Sequence, residues 1–189
     1  MRGYFGIGVE RISKAMNVGS LFRSAHAFGA SFVFTVAAAY ERNEGAKSDT
    51  SDSLGHLPFY SFPDVDALLL PQGCSLVGVE LTDEAIELPS FRHPAQAAYV
   101  MGPERGSLSP QMTERCQLVV KIPTKFCVNV GIAGAIIMYD RTLNLGGFPR
   151  RSDHVGGPTA AAPVHAFGGP KFRRGMEKFE AMPPDTFNN

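Results

Sequence analysis

The sequence has little cysteine, no net charge and no long apolar run, and each shortage excludes something. Three cysteines, Cys74, Cys116 and Cys127, are too few and too odd in number for a disulfide framework. No two of them form a CxxC pair, which argues against a structural zinc site. Such sparse usage points to a reducing compartment, the cytoplasm. No apolar stretch approaches the ~20 residues that span a bilayer, so no membrane partner is expected. Arg2, Glu10, Arg11 and Lys14 interrupt the start of the chain, which therefore does not read as a secretory leader. The 18 Lys and Arg balance the 18 Asp and Glu. Zero net charge weighs against a nucleic-acid ligand, because neutralising a phosphate backbone takes clustered cations. A neutral chain can still carry a local basic face, and a homodimer would present that face twice. No GxGxxG follows the first apolar run, so a doubly wound NAD enzyme is a poor fit.

What is present suits one globular domain: 189 residues, 44% of them hydrophobic. Apolar runs alternate with helical patterns, which predicts an α/β fold with a mainly parallel sheet and helices on both faces. Strands are predicted over Tyr4–Val9, Ser31–Val36, Pro58–Phe62, Ser75–Leu81, Ala97–Met101 and Gln117–Ile122. Helices are predicted from Asn17, as N-cap, to Phe28 with Gly29 as the stop, over Pro63–Leu70, over Pro110–Cys116, and over Asn129–Leu145. The polar stretch from Arg42 to Leu57 reads as a loop.

From Gly146 onward the composition changes, with Gly146-Gly147, Gly156-Gly157-Pro158, Gly168-Gly169-Pro170 and Pro183-Pro184. Such a segment buries too little to offset the entropy of ordering it. The domain is therefore placed over 1–148 and a flexible tail over 149–189. The tail interleaves Arg150, Arg151, Lys171, Arg173, Arg174 and Lys178 with Phe167, Phe172 and Phe179. A solvated extension, an RNA contact by arginine and phenylalanine, and a segment docked on the domain or on a second subunit all fit that composition.

Three short segments carry the chemistry. Asn17-Val18-Gly19-Ser20-Leu21-Phe22-Arg23 opens the first helix. Met101-Gly102-Pro103-Glu104-Arg105-Gly106 follows an apolar run. Ile122-Pro123 precedes Cys127-Val128-Asn129-Val130-Gly131, which leads into a helix of small residues. In this order and spacing they resemble the three motifs of the SpoU/TrmH family of RNA ribose 2′-O-methyltransferases, in the SPOUT superfamily. The resemblance covers about Gly6 to Leu145.

The resemblance implies a deep C-terminal trefoil knot, S-adenosylmethionine as methyl donor without a metal, and an RNA substrate. The short chain favours tRNA over rRNA. It also implies a cofactor pocket around Glu80, Met101, Gly102, Gly106, Ile122, Cys127 and Val128. Glycines at 102 and 106 suit it, because they allow close backbone approach. The implied catalytic residues are Arg23, Asn17, Glu104 and Asn129. Arg23 would contact the ribose or its phosphate, as a planar guanidinium does well. Glu104 would hydrogen-bond to Asn17, and Asn129 would cap the last helix while ordering the site. The third motif departs from the usual pattern, with Cys127 and Gly131 where the family has serines. Cys127 is expected to be buried and inert. The small residues Gly131, Ala133, Gly134 and Ala135 serve either a homodimer interface with the first helix or close packing within one chain. Two other readings stay open: a catalytically weak RNA-binding member of the same fold, and a knotted enzyme that methylates a base.

Overall fold

The computed structural model describes residues 3–38, 56–103, 106–148, 152 and 155–156. The loop expected from Arg42 lies, up to residue 55, outside the described residues; so do Glu104, Arg105 and nearly all of the expected tail. All elements fall within one unit, Met1–Pro149. In chain order they are β1 (Phe5–Glu10), α1 (Ala15–Ala27), β2 (Phe32–Val36), β3 (Phe59–Phe62), β4 (Ser75–Val79), β5 (Ile86–Glu87), a 3-10 turn (Leu88–Ser90), β6 (Ala97–Met101), α2 (Pro110–Arg115), β7 (Leu118–Lys121) and α3 (Val130–Asn144). The strands form a seven-stranded sheet in the order β3-β2-β1-β6-β4-β7-β5. Every pairing is parallel.

Each face of the sheet carries its own core. On one face Ile7, Val9, Val33, Val77, Tyr99 and Met101 pack with Leu21 and Phe22 of α1 and Ile137 and Met138 of α3. On the other, Phe32, Phe34, Leu76, Ala98 and Val100 pack with Met112 of α2. β1 alternates to suit both. A Cβ at Gly6 would lie 2.2 Å from the Phe32 ring, and one at Gly8 would lie 2.4 Å from the Phe34 carbonyl oxygen. Glycine there lets the phenylalanine rings lie across β1. Both faces are covered, so the inner strands are continuous apolar runs.

The small residues of α3 are used within the chain. A Cβ at Gly134 would meet Leu21 Cδ1 at 2.2 Å, and Ala133 is buried. Their lack of bulk brings α3 down onto α1.

Four expectations need correction. Asn17 does not cap α1. Its N–H already bonds to the Lys14 carbonyl at 3.0 Å, so the helix has begun one turn earlier and Lys14 is the N-cap. The Gly29 stop is as expected, with φ +73° and a bond from Ala30 N–H to the Ala25 carbonyl at 2.9 Å. The segment Pro63–Leu70 is a turn rather than a helix. The Asp64 carboxylate takes the Ala67 N–H, and the Arg115 guanidinium takes the Val65 and Leu68 carbonyls. Strand β5 went unseen, because two residues carry no periodicity. Cys127 is exposed rather than buried.

Candidate active site

The carboxyl ends of β1, β6, β4 and β7 converge, and ligands of open parallel sheets bind beyond such ends. A cleft of about 310 Å³ opens there. It is lined by Lys14 and Asn17 near the start of α1 and by Glu80 after β4. Met101, Gly102, Pro103 and Gly106 line it at the end of β6. Cys127, Val128, Asn129, Val130 and Ala133 line it at the start of α3. Segments far apart in sequence thus form one wall.

Asn129 ties two of them together. Its Oδ1 accepts the Gly131 N–H at 2.9 Å and caps α3, while its Nδ2 donates to Asn17 Oδ1 at 3.0 Å. This fixes the amide orientation of both side chains. Asn17 is held by Asn129, and Glu104, its expected partner, lies outside the described residues. Glu80 braces the opposite wall. Its Oε2 accepts the Leu108 N–H at 2.8 Å and its Oε1 the Leu81 N–H at 3.1 Å. Each oxygen keeps a further lone pair for a ligand.

The glycines shape the cleft. At Gly102 a Cβ would stand 3.0 Å from Leu108 N and from Ser107 C, so backbone packs against backbone. Gly106 has φ +123°, which side chains rarely adopt. The glycine at 131 also has a physical reason. A Cβ there would lie 3.2 Å from Ser20 Cβ on α1 and 3.2 Å from Asn129 Oδ1, so a serine would crowd the helix contact and its cap.

Of the expected cofactor residues, Glu80, Met101, Gly102, Gly106, Cys127 and Val128 line the cleft. Ile122 is half-buried and packs against the core beneath it. Asn17 and Asn129 are brought together, whereas Arg23 is exposed on α1, outside the lining. Lys14 and Ser109 were missed. Lys14 carried no signal beyond a charge before an apolar helix. Ser109-Pro110 did carry one, a capping serine before proline at the first helical position.

The family model described as SpoU rRNA Methylase matches residues 5–139. An uncharacterized tRNA/rRNA methyltransferase of Archaeoglobus fulgidus is 28% identical over 144 residues, which is 72% of this chain and 63% of that protein. The chain therefore spans less than two thirds of that relative's length. Among solved structures, the AdoMet-bound rRNA methyltransferase of Sinorhizobium meliloti superposes with a TM-score of 0.68 at 19% identity, over 77% of this chain and 58% of that one. A structure described for 2-OH methylation of C/U34 on tRNA gives a TM-score of 0.67 at 18% identity, over 78% of this chain and 100% of that one. These structural likenesses are likenesses of fold. With most of its length matched by the family model, the chain belongs to the SpoU rRNA methylase family.

Proposed function

We propose that this protein is an S-adenosylmethionine-dependent methyltransferase that modifies a ribose 2′-hydroxyl in tRNA or rRNA. One observation carries the reading. Segments of the three motifs, far apart in sequence, close a single cleft at the carboxyl end of the sheet, with Gly102 and Gly106 in its wall. The residues fit the cofactor. The volume lies in the small-molecule range, the glycines expose backbone, and Glu80 offers free acceptor capacity to a diol. When bound, S-adenosylmethionine supplies a methyl group on a positively charged sulfur.

The chain's own residues do the rest. Glu80, Gly102, Gly106 and Val128 hold the donor. Asn17 and Asn129 fix the junction of α1 and α3, so the acceptor hydroxyl meets a preset geometry, which is a large source of rate. Arg23, on the same helix as Asn17, holds the substrate phosphate and balances negative charge on the attacking oxygen.

The reading includes the trefoil knot. The sheet order supports it, because β4 lies between β6 and β7 and the late strands are laid around an earlier one. It includes a homodimer through α1 and α3. A groove of about 570 Å³ between them presents Ile132 and Tyr139, which are 56% and 47% exposed. It keeps tRNA ahead of rRNA as substrate, assigns transfer to residues 1–148, and places the protein in the cytoplasm, where three free thiols are at ease.

The test is transfer of labelled methyl to tRNA and rRNA from cells lacking the gene, followed by nucleoside analysis. The expected product is a 2′-O-methylnucleoside. Label on a base would overturn the ribose assignment. RNA binding without transfer would leave a non-catalytic member of the family.

A further inference from the structure

A dipeptide outside all three motifs grips one wall of the cleft. Glu10 ends β1 and is 1% exposed. A buried carboxylate is costly unless its oxygens are bonded. Here Oε2 accepts the Ser109 N–H at 2.8 Å and Oε1 accepts the Ser109 hydroxyl at 2.5 Å. The same hydroxyl oxygen caps α2 by accepting the Met112 N–H at 3.1 Å. Burial and the Glu10 charge push the neighbouring Cys116 thiol up to about 12, so it stays neutral beside the carboxylate.

Arg11 is strained. Its φ is +52°, a region that non-glycine residues seldom occupy. Strain of that kind persists only where surrounding contacts enforce it. Two contacts do so. The Arg11 N–H bonds to the Val36 carbonyl at 2.8 Å, and its guanidinium donates to the Ser107 carbonyl at 2.7 Å. With Glu80 holding the Leu108 N–H, residues 107 and 109 are tied from the end of β1 and residue 108 from the end of β4. That is the backbone against which Gly102 packs, at 3.0 Å from a Cβ to Ser107 C and Leu108 N.

We infer that Glu10 and Arg11 are positioning residues for the donor site: they latch the 106–109 segment from the end of β1 and so set the width of the cleft. The inference rests on the methyltransferase reading. Neither residue needs to touch donor or RNA. Their effect should fall on donor affinity rather than on the transfer step.

Arg11→Gly separates this from a purely structural role. Glycine accepts the positive φ, and this relief offsets the lost ion pair with Glu10, so the fold holds its stability while the latch bond is lost. S-adenosylmethionine is titrated calorimetrically into wild type, Arg11→Gly, Arg11→Lys and Ser109→Ala, without RNA. Single-turnover transfer is then read at saturating donor. Arg11→Gly should weaken donor binding about tenfold, the scale of one lost charge-assisted hydrogen bond. Its melting temperature should not fall, and its transfer rate should stay within about twofold of wild type. Arg11→Lys should restore most of the affinity, since an ammonium still reaches a carbonyl. Ser109→Ala should shift affinity in the same direction as Arg11→Gly. Unchanged affinity in Arg11→Gly or in Ser109→Ala, with wild type binding normally, overturns the latch and leaves the methyltransferase reading standing. A loss confined to transfer rate also overturns it, by placing Arg11 on the substrate. No binding by wild type would overturn both.

Discussion

At the amino end of the sheet, the Arg141 guanidinium donates to the carbonyls of Tyr4, Pro94 and Ala95 and to the Tyr99 hydroxyl, at 2.6 to 3.2 Å. Its charge sits 5.2 Å from the Phe5 ring centre and 5.9 Å from that of Tyr99. His93 bridges Tyr99 at 2.6 Å and Asp140 at 2.9 Å. At the carboxyl end, Gly102 and Gly106 leave backbone facing a cleft, and Arg11 and Ala37 hold positive φ. One end turns its polar groups inward until each is bonded. At the other, among the described residues, Asn129, Glu80 and Glu10 hold the segments that form its walls. The sheet therefore has a closed end that anchors α3 and an open end that has room for chemistry. Substitutions should sort accordingly: stability at the first end, binding and turnover at the second.

The largest effect is expected at the closed end. Arg141→Met removes a buried cation and leaves the part-buried contacts at the Tyr4, Pro94 and Ala95 carbonyls without their donor. It should cost about 3–5 kcal/mol of stability in urea unfolding. Donor affinity of the protein that remains folded should be unchanged. A selective loss of donor binding instead would break the division between the ends.

Next comes Arg23→Ala, which should keep fold and donor affinity but slow single-turnover methylation about 100-fold, or roughly 3 kcal/mol. Arg23→Lys should rescue little, because an ammonium lacks the planar fork. Wild-type rates would make Arg23 an ordinary surface arginine of α1.

Gly102→Ala sharpens the open end. Its Cβ would push on the backbone at Ser107 and Leu108, which sidechain rotation cannot relieve. Donor affinity should fall about tenfold, and the overpacking should lower the melting temperature by a few degrees. A chelator should change neither donor binding nor turnover.

The smallest effect is a pH dependence at the closed end. Burial lowers the pKa of His93 despite the opposing hydrogen bond and charge of Asp140. The folded protein thus binds a proton less readily than the unfolded chain. The stability from this group is fully present above its unfolded pKa of about 6.5 and is lost as pH falls below that toward the folded value. His93→Gln should flatten that acid limb in unfolding measurements. Tyr99 is pushed up to about 12 by burial, partly offset by Arg141, so its phenol remains a neutral partner throughout that range.

What could be read from the sequence follows the range of each signal. Ala97–Met101 is a strand to the residue, because a short apolar run between Gln96 and Gly102 has no rival pattern. The glycine at 102 announced close backbone approach and packs on residues 107 and 108, while Gly106 takes a positive φ; both line the cleft. Asn129 announced a cap and is one. Local signals failed where a distant partner decided. Asn17 looks like a cap but is the partner of Asn129, 112 residues away. Pro63–Leu70 has helical spacing, yet Arg115 claims its carbonyls. Glu10 ends an apolar strand as an oddity whose reason, Ser109, lies 99 residues on. Strand β5 exists only because β7 offers it an edge.

Whether the open end of the sheet is a donor site is decided by calorimetric titration of S-adenosylmethionine into the folded wild-type protein. Saturable binding without added metal, weakened by Gly102→Ala and untouched by His93→Gln, is the expected result. No heat of binding, or equal weakening by both substitutions, would contradict it.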